Sequence, residues 1–261
     1  NREMGYEEYF TKKYLNNKSN LSLLSIGSGS GAKERNFSKF SCFDEINGIE
    51  LSDIAIKDSQ AKLIENKINN VKYFLGDFKT FDFADKKFDV ILFNSSLHHF
   101  DNIDDLLKNK VKNLLKNTDS FLIIFEYVGP NRLQWSDAQL MKTNELLKTI
   151  PKEYRIKYKS SKIKKRVYRP GLLRMLLTDP SEAIDSESIL PSLHNHFESD
   201  EEKTLGGNIT QLLFKDISHH FYNNSTQTTQ ILDFIFNEED KFVNETDKSD
   251  GIFGIYKPKI T

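Results

Sequence analysis

Residues 21–32 read LSLLSIGSGSGA, an apolar run that breaks into glycine at positions 27, 29 and 31. A strand that stops in such a run, with helix-compatible sequence after it, marks the approach of a nucleotide-derived ligand, because only glycine lets a backbone come that close. The helix predicted from Ala32 to Phe40 would aim its first amides at whatever sits above Gly27, Ser28, Gly29 and Gly31.

Outward from this turn, strands and helices alternate. A short strand, Glu45–Glu50, closes on a carboxylate 19 positions after Gly31, near the ~20-residue offset at which an acid grips ribose hydroxyls. Ser52–Asn69 carries a helical apolar pattern, and a third strand, Val71–Leu75, ends in Gly76-Asp77-Phe78. Lys87–Phe93 is a nearly continuous apolar run, as a central parallel strand requires, and it stops at Asn94-Ser95-Ser96-Leu97-His98-His99-Phe100. Ile103–Leu115 reads as a helix, and Ser120–Phe125 as a fifth strand ending in Glu126-Tyr127. This order predicts an α/β fold, a doubly wound and mostly parallel sheet of about seven strands with its ligand across the carboxyl ends. Ahead of the turn, Tyr6, Tyr9, Phe10, Tyr14 and Leu15 fall at helical spacing, which predicts an amphipathic helix packed beside the first strand.

Gly27-x-Gly29-x-Gly31 after strand one, Glu50 closing strand two, Gly76-Asp77 closing strand three and Asn94 with SLHHF closing strand four resemble the ordered motifs of class I S-adenosylmethionine-dependent methyltransferases. The resemblance covers about residues 20–126 and implies S-adenosyl-L-methionine as cofactor. It implies that the glycine turn, with Ser28, cradles the cofactor and that Glu50 binds the ribose hydroxyls. It also places Asp77 and Phe78 at the adenine, Asn94 and Ser95 along the methionine part, and the last strand antiparallel beside strand five. The residue chemistry agrees: Glu50 and Asp77 are acceptors, and Phe78 or Leu51 offers an apolar face to the ring.

Two other ligands are weaker fits. The turn continues Gly31-Ala32-Lys33-Glu34 without a Walker lysine, which disfavours a nucleoside triphosphate. An NAD(P)-dependent oxidoreductase would accept Gly27, Gly29 and Ala32, but it gives Gly76-Asp77 and SLHHF no work. Tyr158 and Lys162 have dehydrogenase spacing only within a stretch crowded with lysines. A non-catalytic methyltransferase-like binding subunit is the remaining alternative, and intact motifs at four strand ends argue against it.

Composition narrows the partners. A formal charge of −1 over 261 residues provides no global basic field, so nucleic acid is not expected. Cys42 is the single cysteine, which excludes an intrachain disulfide and a cysteine-rich zinc site and fits a reducing, cytoplasmic setting. No run approaches the roughly 18–20 apolar residues of a membrane span. The oligomeric state is not legible.

Three stretches are expected: a cofactor-binding core with its N-terminal helix over 1–127, a helical cap inserted after strand five over 128–195, and completion of the sheet over 196–261. In the last, His196–Leu205 and Gly251–Tyr256 read as strands, and Asn208–Tyr222 and Thr229–Val243 as helices. Tyr127, Arg132, Gln134 and Trp135 follow strand five and are the acceptor-site candidates, together with Arg169 from the basic run Lys162–Arg169. An arginine fork suits a carboxylate, a phosphate or sugar hydroxyls, and tryptophan a flat apolar wall.

Methyl transfer from a sulfonium is an in-line displacement, and a hydroxyl acceptor needs a base near neutral pH. His98 and His99, at the end of strand four, are the first candidates, and Glu126 the second. His194-x-His196 is weak evidence for a metal, and none is expected. The reading is an O-methyltransferase of a small acceptor, anionic or sugar-linked. EYVGPNRLQW bears a fainter resemblance to methyltransferases of bacterial surface-glycan pathways.

Overall fold

The computed structural model describes residues 4–223 and 225–259. The chain runs α1 (Tyr6–Tyr14), β1 (Leu21–Ile26), α2 (Ala32–Phe37), β2 (Phe43–Glu50), α3 (Asp53–Glu65), β3 (Val71–Leu75), β4 (Val90–Asn94), α4 (Ile103–Asp105), α5 (Lys112–Leu114) and β5 (Phe121–Tyr127). It continues through α6 (Asp137–Thr149), α7 (Leu172–Thr178), α8 (Ile189–His196), β6 (Phe197–Gly206), α9 (Thr210–Phe214), α10 (Thr226–Thr246) and β7 (Gly251–Pro258).

The seven strands form one sheet in the order β3-β2-β1-β4-β5-β7-β6. The pairs β1–β2, β1–β4, β2–β3 and β4–β5 are parallel. All six residues of β1 are buried, as a strand covered on both faces must be. Strand order reverses at β1, whose neighbours β2 and β4 lead away in opposite directions, and a crevice opens at such a switch point. The registers Ile26↔Ile49, Ile26↔Phe93 and Asn94↔Phe125 bring the strand ends to one edge. That edge carries every motif of the central resemblance. The last strand takes the place beside β5 that the resemblance implied.

Local differences from the sequence reading have local causes. The fourth strand begins at Val90, because Phe88 makes only an isolated bridge to Leu115. The helix expected over 103–115 is interrupted by a π-helical stretch, Leu106–Val111, between α4 and α5. The helix expected over 208–222 stops at Phe214, and Asp216, at φ 68°, turns the chain into a 3-10 segment at Ser218–Phe221.

Two compact units result. The first holds the described residues up to Glu126, Ser188–Glu202 and Phe253 onward; the second holds Tyr127–Glu187 and Lys203–Ile252. These boundaries differ from the expected ones. Residues 188–195 lie with the sheet, whereas most of the expected sheet-completing stretch lies with the helical insertion. The apolar periodicity of α10 is satisfied within the second unit, where Ile235 and Phe242 join Trp135, Leu146, Leu147 and Leu213 in one core. In the first unit Phe10 of α1 is fully buried against Phe37 and Phe121. Removing such a ring from water contributes about 2–3 kcal/mol.

The second unit is also organised by buried carboxylates. Glu239 caps α9, taking the amides of Asn208 on one oxygen and of Ile209 and Thr210 on the other. Asp250 accepts from the Gln139 Nε2 at 2.8 Å and the Asn208 Nδ2 at 3.2 Å. Burial pushes its carboxyl up to about 6.

Candidate active site

The glycine turn is built as its sequence demands. Gly27, Gly29 and Gly31 have φ of 69°, 52° and 72°. A β-carbon on Gly27 would stand 2.5 Å from the Ser96 Cβ, and one on Gly31 would meet the Tyr73 hydroxyl, whereas one on Gly29 would meet nothing within 4 Å. Gly29 therefore borders open space, and its two neighbours hold the turn against the sheet.

Glu50, at the end of β2, reaches this turn. Its Oε2 accepts the Gly29 amide at 2.9 Å and its Oε1 the Ser52 amide at 3.0 Å, at the start of α3. Each oxygen keeps a lone pair for a ligand hydroxyl. Leu51 beside it is 71% exposed, an apolar surface at the same edge. Asp77 accepts the Lys79 amide at 2.8 Å. Phe78 differs from expectation: its ring is buried among Phe83, Phe93 and Phe100, so it supports the crevice from beneath and offers no open face. Leu51 is the better apolar wall.

At the end of β4, the Asn94 Oδ1 accepts a hydrogen bond from the Tyr6 hydroxyl at 2.8 Å. Ser95 holds φ 53°, a left-handed conformation uncommon outside glycine, and such strain concentrates at ligand-binding turns. Two residues later the chain enters a 3-10 turn, Leu97–His99. Glu126, buried at the end of β5, controls that turn: Oε1 accepts the amides of Ser96 at 2.5 Å and Leu97 at 2.6 Å, and Oε2 lies 2.7 Å from the His98 Nδ1. This argues against the reading of Glu126 as a base, since its side chain is fully buried, with one oxygen on two amides and the other on the His98 ring. It fixes the His98 ring and, with Nδ1 carrying the proton toward the carboxylate, makes Nε2 the basic nitrogen. The His99 ring lies 4.3 Å from that of His98.

Polar groups without a well-formed hydrogen bond among the described residues include the Ser28 Oγ in the turn, both oxygens of Glu34 on α2 and, mid-strand in β2 opposite Leu24, the side-chain amide of Asn47. Burial pushes the Glu34 carboxyl up to about 7, against the pull of Ser25, its own backbone and the cations of Arg35 and Lys33. Buried groups of this kind call for a polar partner, and an adenosyl amino acid, with its hydroxyls, ammonium and carboxylate, is a partner of the right chemistry. The edge fits the cofactor implied by the sequence. Glu34 was not singled out from sequence, and Tyr6 was named there as a residue of the amphipathic helix packed beside the first strand. For Glu34 a signal existed: with Phe37 at i+3 it shares the buried face of α2. For Tyr6 no local signal separates a packing tyrosine from one whose hydroxyl binds Asn94.

The acceptor candidates all lie in the second unit, tied to one another. Arg132 and Leu133 are left-handed, with φ 57° and 52°. The Arg132 amide donates to the Ala183 carbonyl, and its guanidinium to the carbonyls of Pro180 and Glu182. The Gln134 Nε2 donates to the Pro170 carbonyl, and Arg169 donates to the Trp135 carbonyl and the Asp137 carboxylate. The Tyr127 hydroxyl donates to the Pro130 carbonyl, and Trp135 is a 4%-exposed core anchor. Arg132 thus uses one guanidinium nitrogen, Nη1, to join loop 129–135 to loop 179–187, where Ser186 donates to the Gly129 carbonyl. His194 and His196 have separate partners, Glu202 and Asp104, so they do not form one ligand set.

A mostly parallel sheet that switches direction at a glycine turn, with an acid on the next strand, is the architecture of the Rossmann-like methyltransferase fold. The chain belongs to the methyltransferase-domain family, whose sequence profile matches residues 17–171. The cofactor of this class is S-adenosylmethionine. Comparison with curated protein sequences finds no match. Among solved structures, YcgJ from Bacillus subtilis is similar over 98% of both chains, at 16% identity and a TM-score of 0.55. The [4+2]-cyclase SpnF is similar over 98% of this chain and 81% of its own, at 11% identity and a TM-score of 0.56. The phosphoethanolamine N-methyltransferase 2 of Haemonchus contortus, solved with phosphomonomethylethanolamine and S-adenosylhomocysteine, matches 97% of this chain at 14% identity and a TM-score of 0.56. This chain spans about half of that protein, 52%. At these identities the likeness concerns fold, and a cyclase among the matches shows that the fold alone does not fix the reaction.

Proposed function

We propose that the chain is an S-adenosylmethionine-dependent O-methyltransferase of a small acceptor, anionic or sugar-linked. The observation that carries this is the Glu126–His98 pair at the end of the strand that also presents Asn94 and Ser95. Bound S-adenosylmethionine supplies an electrophilic methyl group on a sulfonium. The glycine turn and Glu50 bind the ribose end, Leu51 and Asp77 flank the adenine, and Asn94, held by Tyr6, lines the methionine end. His98 takes the acceptor's hydroxyl proton at Nε2. The resulting imidazolium is stabilised by Glu126, which acts as a positioning residue and not as the base. Loops 129–135 and 179–187 form the acceptor-recognition element, a reading supported by the backbone strain concentrated at Arg132, Leu133 and Ala183. The test is transfer of labelled methyl from S-adenosylmethionine to a panel of hydroxylated, phosphorylated and nucleotide-linked sugars. Transfer that depends on His98 supports the assignment. Transfer to amines alone, independent of His98, would replace it with N-methylation.

A further inference from the structure

Between positions 155 and 178 the chain carries nine lysines and arginines and no acidic residue, within a protein of net charge −1. The structure sorts these cations. The Lys164 Nζ is buried and donates to the carbonyls of Leu212, Leu213 and Lys215. Arg169 is tied to Trp135 and Asp137, and Lys157 to Asp216. Lys159, Lys162, Lys165, Arg166 and Arg174 are exposed and make no ion pair among the described residues.

The same segment exposes apolar side chains. Of the 18 large apolar residues exposed among those described, eight lie between Ile156 and Leu177, so the exposure is concentrated and not scattered. Helix α7 is its centre. Leu172, Leu173, Leu176 and Leu177 are 52%, 73%, 50% and 79% exposed, whereas Met175 is buried. At 100° per residue the four leucines occupy an arc of about 140°. Tyr168, 68% exposed, precedes them with Arg166 over its ring. Arg166, Tyr168, Arg174 and Met175 line one cavity of about 850 Å³, to which Lys215 adds a further cation.

We propose that residues 156–178 dock the protein on an anionic membrane surface, with the α7 leucines entering the acyl boundary and Arg166, Arg174 and Lys215 receiving lipid phosphates. Exposed leucines beside unpaired lysines and arginines are what an interfacial helix requires: the apolar face leaves water and the cations meet anionic headgroups. A second copy of the chain would also cover the leucines, but a symmetric contact would bring two sets of unpaired cations together. A nucleic acid would satisfy the cations and leave the leucines in water.

The test is sedimentation of the full chain with vesicles of phosphatidylcholine alone or mixed equally with phosphatidylglycerol. The expected result is binding to the mixed vesicles only, lowered at least tenfold in 0.5 M NaCl. In the Leu173→Glu/Leu177→Glu double variant, whose positions are exposed, binding falls at least tenfold with an unchanged melting temperature. Lys165→Glu/Arg166→Glu falls similarly, and serves as the second variant if the first does not fold. Failure of both variants to weaken binding overturns the proposal, as does absence of binding to mixed vesicles. Tighter binding to a single-stranded RNA oligonucleotide than to vesicles, or a dimer in solution that the leucine variant dissociates, also overturns it.

Discussion

The Glu126 Oε2 stands 2.7 Å from the His98 Nδ1, while its other oxygen takes the amides of Ser96 and Leu97. One buried carboxylate thus shapes the turn after β4 and sets the tautomer of its histidine. Removing His98 as alanine should lower turnover by about 10²-fold or more, with affinity for S-adenosylhomocysteine within threefold of wild type. Glu126→Gln reverses the donor at Nδ1 and should lower turnover with little change in cofactor affinity. Glu126→Ala leaves two buried amides unsatisfied and should cost about 2–4 kcal/mol in denaturant unfolding. Unchanged turnover in the His98→Ala variant would sink the base assignment.

Gly27 and Gly29 separate folding from binding. Gly27→Ala forces a β-carbon to within 2.5 Å of Ser96 at φ 69°, and should destabilise by about 2–3 kcal/mol. Gly29→Ala meets no protein atom and should lose only about 1 kcal/mol, yet abolish cofactor binding. Calorimetry paired with thermal melts distinguishes the two. Normal binding by Gly29→Ala would show that the open space above the turn is not the cofactor's.

Glu34 makes stability depend on pH. Its folded value, about 7, lies above the ordinary 4.5, so the folded state holds the proton more tightly. The stability it contributes is fully present below about 4.5 and is lost as pH rises through 7. Glu34→Gln removes that loss, and the variant should exceed wild type by about 3 kcal/mol at pH 8, with a difference near zero at pH 4.5. Urea unfolding of both proteins at the two pH values measures it; a pH-independent difference would contradict the assignment.

Arg132 holds its neighbouring loop through backbone carbonyls. Arg132→Ala should leave 180 and 182 without their donor and expose the 179–187 loop to limited proteolysis at enzyme concentrations that spare wild type. Cleavage that begins elsewhere would count against the link.

The sheet was legible because its signals are local. Apolar runs give strands, and each changes character at its carboxyl end: Gly27 and Gly76 follow β1 and β3, and the polar Glu50 and Asn94 are the last residues of β2 and β4. The division into units was not legible, because it depends on Trp135, Leu146, Ile235 and Phe242 finding one another across a hundred residues. Site residues follow the same rule. His98 and Glu126 could each be named from their strand ends, but that the two side chains pair is set by a contact across 28 positions. Tyr6 binds Asn94 across 88. Arg132 and Arg169 read as anion forks because a sequence shows charge, whereas the carbonyls that Arg132 Nη1 meets and the Trp135 carbonyl and Asp137 carboxylate that Arg169 meets appear only when the loops close.

The central claim is that the glycine turn and Glu50 hold S-adenosylmethionine. Isothermal titration with S-adenosylhomocysteine tests it most directly. The account predicts one site per chain and a roughly tenfold to hundredfold weakening in Glu50→Ala, as expected for the loss of a charged hydrogen-bond acceptor. Absence of binding in the wild type, or binding of NAD(P)H in its place, would contradict it.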